Sequence, residues 1–182
     1  MEIIKADFAS KRDAEAIVYL VNEYALDEMG GGQSLSDFTK ENLISELSKR
    51  PSCAVFIAYV KGEAAGIAIC FEVFSTFKCK LVLNIHDAVV VKKFRGQGLA
   101  RALFEAVERF AITSGCCKMT LEVLEGNTVA QQAYRNFGFS GYELDPKMGN
   151  ALFFEKELDL RQPPIIQKKS TKDSALFCVF RG

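Results

Sequence analysis

Long apolar runs, clustered histidines, paired cysteine motifs and an excess of either charge are all missing from this 182-residue chain. No stretch reaches the roughly 18 consecutive apolar residues of a membrane span. The opening MEIIKADFAS has no basic segment followed by a hydrophobic one, so no secretory signal is legible and a cytoplasmic protein without a membrane partner is expected. His86 is the only histidine, and Cys53, Cys70, Cys79, Cys116, Cys117 and Cys178 form no C-x-x-C pair. A structural zinc site would need several of these cysteines to converge from separated segments, so no metal is expected. Most of the thiols lie among apolar neighbours, where they act as small hydrophobes.

Lysine plus arginine (23) balances aspartate plus glutamate (23), but residues 161–182 hold five basic residues and one acidic residue, leaving residues 1–160 mildly acidic. Nucleic-acid binding needs clustered positive charge. The only short basic group before the tail is Lys92, Lys93 and Arg95, which suits a compact phosphate group better than a duplex.

A hydrophobic content of 49% is enough for one buried core, read here as a single domain over residues 1–160. Residues 2–7 read as a strand. Ser10, with Asp13 three residues on, resembles a cap for an amphipathic helix through Ile17, Leu20, Val21 and Tyr24, which stops near Gly30, Gly31 and Gly32. Ser36 or Thr39 caps a second helix carrying Leu43, Ile44 and Leu47 and ending before Pro51. Cys53–Val60 and Ala64–Phe77 read as two strands of a meander turning at Lys61 and Gly62. Leu81–Val91 loses strict alternation, as expected of a central strand covered on both faces or broken by a bulge. Gly96–Ser114 is the strongest helix, and Lys118–Leu124 the next strand. A short helix over Asn127–Phe137 and strands over Phe139–Tyr142 and Ala151–Leu158 complete the domain. The order β-α-α-β-β-β-α-β-α-β-β is that of a mixed α/β sheet with helices on its faces. Beyond the break at Pro163 and Pro164, residues 161–182 form a basic extension, with poor order expected over Gln167–Ser174.

The segment Val89–Ala102, VVVKKFRGQGLARA, joins a β-branched strand to a glycine-spaced turn and an apolar-periodic helix. Gly96 and Gly98 remove side chains where backbone must approach a ligand, and the unsatisfied N–H groups of the first helical turn point into the same space. Two adjacent phosphates would find several donors there, aided by the positive helix end. The alternative is a plain strand-to-helix turn with glycine for clearance. A P-loop would need lysine followed by Ser or Thr, and a dinucleotide fold would need its glycines near the first strand; neither is present.

VVVKKFRGQGLARALFEAVERFA, followed by LEVLEGNTVAQQAYRNFGFSGY, resembles the paired motifs of the GCN5-related N-acetyltransferase (GNAT) superfamily. Arg95, Gly98 and Ala100 match its R/Q-x-x-G-x-G/A signature. Asn127, Ala130, Tyr134, Gly138 and Phe139 match its N-x-x-A-x-x-x-Y-x-x-x-G-F pattern. The resemblance covers roughly residues 1–160. It implies a mixed, mostly antiparallel sheet with helices on both faces and splayed central strands, and acetyl-CoA as co-substrate. In the family's manner the backbone of Ala88, Val89 and Val90 would pair with the pantetheine arm. The amides of Gly96, Gln97, Gly98, Leu99, Ala100 and Arg101 would hold the pyrophosphate. Asn127 would contact the CoA arm while capping its helix, and Tyr134 would meet the departing thiolate. A phenol with pKa about 10 is protonated at neutral pH and able to donate there; its alternative is an aromatic packed on the sheet.

The expected reaction is direct attack of a primary amine on the thioester in a ternary complex, with the N–H of Val89 or Val90 polarising the carbonyl. A lysine-like amine is neutral in only about one molecule in 2,500 at pH 7, a penalty near 4.6 kcal/mol, so a base or relay matters. His86, Asp87 and Glu122 are the candidates. Several relatives place a glutamate near His86, a departure that leaves its role open. Asp87 is expected on the opposite side unless a bulge resets the register. Glu72 and the segment Tyr24, Asp27, Glu28 before the triple glycine are candidate acceptor contacts. The acceptor is read as a small-molecule amine, with a protein or peptide amine, or a CoA-binding domain without turnover, as alternatives. A homodimer is compatible with the strand edges of such a fold.

Overall fold

The computed structural model describes residues 1–142, 145, 147, 149, 151–156 and 158. By contacts the chain divides into two units, Met1–Phe139 and Ser140–Gly182. The expected boundary at 160 falls inside the second unit, and the expectations for residues 161–182, Cys178 and Gln167–Ser174 lie outside the described residues.

In the first unit, β1 (Glu2–Lys5), β2 (Cys53–Val60), β3 (Glu63–Ser75), β4 (Lys80–Val90) and β5 (Met119–Leu121) form one sheet in sequence order. The first four strands run antiparallel, and β5 joins β4 in parallel. Helices α1 (Lys11–Leu26) and α2 (Asp37–Ser48) cover one face, while α3 (Leu99–Thr113) and α4 (Thr128–Phe137) cover the other. Alternation along the strands sorts the core accordingly. Val55, Ile57, Ile67, Ile69 and Val89 pack with Ile17 and Leu20 of α1, whereas Phe56, Ala68, Leu83 and Ile85 pack with Leu103, Phe104 and Val107 of α3.

Local chemistry sets the element ends. Ser10 accepts from the Asp13 amide (3.4 Å), and Ser36, rather than Thr39, caps α2 by accepting from the Thr39 amide (3.1 Å). Lys61 and Gly62 both take positive φ in the β2–β3 turn. Buried Asp13 accepts from the Tyr59 hydroxyl (3.1 Å) and the Asp7 amide (3.1 Å), tying α1 to the sheet. The cysteines are mixed: Cys70 is buried, and burial pushes its thiol up to about 12, while Cys79 is exposed in the β3–β4 turn.

The expected strand over Phe139–Tyr142 does not form. Gly138, left-handed at φ 108°, ends α4, and the Phe139 amide is used in the cap, donating to the Tyr134 carbonyl (3.0 Å). The Phe139 ring packs on Phe104, Tyr134 and Phe137 instead. The described residues of the expected strand Ala151–Leu158 are exposed and in no ladder; three consecutive apolar residues, Leu152, Phe153 and Phe154, lack the alternation that would bury one face of a strand. No helix among the described residues is long and apolar enough to cross a membrane.

Candidate active site

Two irregularities of β4 build the site. The first is a bulge: Ile69 opposes Asp87 and Cys70 opposes Ile85, leaving His86 as the extra residue. This resets the register, so Asp87 faces the α1 side instead of the opposite side expected without a bulge. His86 lies on that side too, exposed, with its ring edge-on to Phe71 at 5.6 Å.

The second irregularity is a splay. Strands β4 and β5 pair only from Leu83 with Met119 to Ile85 with Leu121; beyond Ile85, β4 continues to Val90 without β5. The β3–β4 ladder is phased by the Val91 amide donating to the Ala65 carbonyl (2.9 Å), and its alternation turns the amides of Ala88 and Val90 toward the gap and that of Val89 toward β3. The Val90 carbonyl indeed accepts from Arg95 Nε (2.9 Å) on the gap side. Of the two expected carbonyl-polarising amides, only that of Val90 faces the gap.

Past Val90, a 3-10 turn (Lys92–Phe94) leads into the glycine loop. Gly96 and Gly98 hold φ of 75° and 79°, and a Cβ added to either meets no atom of the described residues within 4 Å, which leaves clear space over the loop. Gly98 is the N-cap of α3, and no side chain caps that helix. Its first-turn amides therefore present donors and a positive helix end to the clear space, which fits a pyrophosphate.

A cavity of about 960 Å³ joins these parts. Ala88, Val89, Val90, Arg95, Gly96, Gly98, Leu99, Ala100, Arg101, Asn127 and Tyr134 all line it, as do Tyr24, Asp27 and Glu28 at the end of α1. Gln97 does not line it; its side chain turns back to the Lys93 carbonyl (3.4 Å). Asn127 caps α4 by accepting from the Ala130 amide (3.1 Å). His86, Asp87 and Glu122 are also absent from the lining. Glu122 is exposed just past the end of β5, and Glu72 is an electrostatic neighbour of Cys116 rather than part of the cavity wall.

Tyr134 is half-buried against Phe104, ring centroids 5.6 Å apart, and burial pushes its phenol above the ordinary range, with Tyr24 as a second, electrostatic cause. Tyr24 is raised by burial first and then by Asp87 and Asp27. Asp87 is raised by burial, against the opposing influence of His86. Tyr24 thus links Asp87 electrostatically with Tyr134. The sequence reading assigned Tyr24 to an acceptor wall and missed this link; the available signal was a hydroxyl at the end of an otherwise apolar face running through Ile17, Leu20 and Val21.

Residues 17–139 match the model of the Acetyltransferase (GNAT) family. The chain belongs to that family, whose members are acetyl-CoA-dependent N-acetyltransferases. It is 29% identical over 101 residues to aminoglycoside N(6')-acetyltransferase type 1 of Salmonella typhimurium, covering 54% of this chain and 70% of that protein. It is 31% identical over 86 residues to an N-alpha-acetyltransferase of Arabidopsis thaliana, covering 46% of this chain and 43% of the relative. Among solved structures, the aminoglycoside acetyltransferase AAC(6')-Iy in complex with a CoA bisubstrate analog superposes with a TM-score of 0.67 at 22% identity, over 86% of this chain and 98% of that one, a likeness of fold.

Replacing Gly98 by Ala puts a side chain into the clear space over the loop and into a left-handed conformation costing roughly 1–2 kcal/mol. Isothermal titration should show CoA binding weakened about tenfold or more, with the protein still folded by circular dichroism.

Proposed function

We propose that this acetyltransferase moves the acetyl group of acetyl-CoA to a primary amine of a small molecule, with both substrates bound together. The observation that carries the reading is the single cavity in which the glycine loop, the open edge of β4, Tyr134 and the end of α1 meet. When bound, acetyl-CoA supplies the activated thioester. Ala88 and Val90 offer backbone groups to its arm, Val90 N–H stabilises charge developing on the carbonyl oxygen, and the amides of Gly96 to Arg101 hold the phosphates. Tyr134, kept protonated by burial, donates toward the leaving sulfur.

Asp87 serves as the proton acceptor. Asp87 is not part of the cavity lining, and Tyr24, which lines the cavity and feels the Asp87 charge, is assigned the relay: its hydroxyl takes the proton of the amine and passes its own toward the Asp87 carboxylate. His86, exposed at the bulge, modulates that carboxylate through charge. The likeness to an aminoglycoside acetyltransferase supports a polycationic small-molecule acceptor, and Asp27 and Glu28 supply negative charge to that wall.

A thiol-release assay with acetyl-CoA and a panel of aminoglycosides, polyamines, amino acids and short peptides, followed by product mass, tests the reading. Monoacetylated small amines are expected. Product from peptides alone would replace the acceptor assignment with a peptide amine. CoA binding without product across the panel would favour a binding domain.

A further inference from the structure

Among the described residues, the cations that line the cavity are Lys92, Arg95 and Arg101, and two of them are already engaged by carboxylates of the chain itself. Arg101 Nε pairs with Glu105 one helical turn away (3.0 Å). The other pair is different in kind: Arg95 Nη2 reaches Asp27 Oδ2 at 2.7 Å, joining the glycine loop to the end of α1 across 68 residues of sequence. Asp27 is fixed independently of that contact, because its Oδ1 accepts from the Met29 amide (3.1 Å) and its backbone carbonyl accepts from Gly30 and Gly32. Arg95 is likewise held through Nε on the Val90 carbonyl. Each partner keeps its position if the ion pair opens.

The pair is also inexpensive to open. Its side chains remain 50% and 27% exposed, and ion pairs at that exposure typically contribute only about 0–1 kcal/mol. A pyrophosphate seated over Gly96 and Gly98 presents a higher charge density to the same guanidinium and suits its forked donors. The Asp27 carboxylate, lining the same cavity, opposes that anion as long as Arg95 remains shared.

We propose that Asp27 is a positioning residue that holds Arg95 in reserve. Arg95 exchanges Asp27 for the pyrophosphate when the donor binds, and the exchange leaves the Asp27 carboxylate unpaired at the acceptor wall. The proposal rests on the donor site assigned above. It makes Asp27 a resident stand-in for a phosphate, and it couples filling of the donor site to the appearance of a negative charge beside Tyr24, where a cationic amine would enter. By linkage, a cation drawn to Asp27 strengthens donor binding by the same factor.

Isothermal titration of the full chain with CoA, and with pantetheine as a probe lacking phosphates, tests this. Asp27→Asn keeps an oxygen acceptor for the Met29 amide and removes only the charge. It is expected to bind CoA roughly three- to tenfold tighter than the wild type, a size set by the modest strength of exposed pairs, with pantetheine unchanged. In an Arg95→Gln background the same substitution should have no more than a small effect, because the partner that transmits it is gone. Carbon-detected titration of Asp27 gives a second readout. In the free protein the Arg95 hydrogen bond, then the Met29 amide, hold its carboxyl below the ordinary range, with Lys92 contributing further. CoA should move it up as Arg95 leaves and phosphates approach. Equal or weaker CoA binding by Asp27→Asn, or an Asp27 titration unmoved by CoA, overturns the exchange and leaves the donor site standing. No CoA binding by the wild type overturns both.

Discussion

Tyr134→Phe is expected to lower kcat by roughly a hundredfold, the lower end of what a positioned acid contributes, while CoA affinity measured by titration stays within about twofold. The substitution removes one hydroxyl and keeps the ring that packs on Phe104 and Phe139, so the α3–α4 contact survives. Burial raises the phenol above its ordinary value, which keeps it protonated across the neutral range and leaves its proton available as negative charge grows on sulfur. Single-turnover kinetics separate this from slow product release. An unchanged chemical step would reduce Tyr134 to a packing residue.

The second large effect is expected at Asp87. Asp87→Asn should lower turnover of a lysine-like amine by roughly a hundredfold and turnover of an α-amine, whose pKa lies near 8, by less, since less of the barrier there is deprotonation. Tyr24→Phe should give a similar loss, and the double variant little further loss, because a relay is broken as completely at one point as at two. The pH dependence has a definite sign. The folded-state carboxyl of Asp87 is raised, so the active, ionised form appears only above the ordinary carboxylate range, and the ascending limb of the rate profile should flatten in Asp87→Asn. The same shift costs stability: folding favours the protonated form, so the wild type loses stability as pH rises through the raised value. Thermal melts should therefore find Asp87→Asn more stable than the wild type at pH 8, with the difference shrinking toward acid pH. A variant that is less stable at pH 8 would contradict the half-buried, destabilised carboxylate on which the relay depends.

Much of this was legible along the chain. The five strands of the sheet and the four helices follow from apolar spacing and from the caps at Ser10, Ser36 and Asn127, because those signals are local: a side-chain oxygen satisfies an amide three residues away. The glycine loop was legible for the same reason, since Gly96 and Gly98 sit at positive φ over clear space and α3 starts without a side-chain cap. Phe139 was misjudged because its strand-like character competes with a helix cap that takes its amide and a cluster of three aromatic rings that takes its side chain.

By itself, then, the sequence determined the fold class, the strand-turn-helix that can hold two phosphates, and the position of Tyr134 four residues before the glycine that ends α4. Only the tertiary structure decided which side of β4 each residue serves. One extra residue in β4, His86, carries Asp87 to the α1 face, and the ladder phase set by Val91 and Ala65 gives the gap to Val90 rather than Val89. The electrostatic influence of Asp87 on Tyr24 and the ion pair of Asp27 with Arg95 were equally beyond the sequence. A bulge depends on how two strands share a register, and an ion pair across 68 residues depends on how the fold brings the end of α1 to the glycine loop. Neither is encoded in the spacing of residues along one segment.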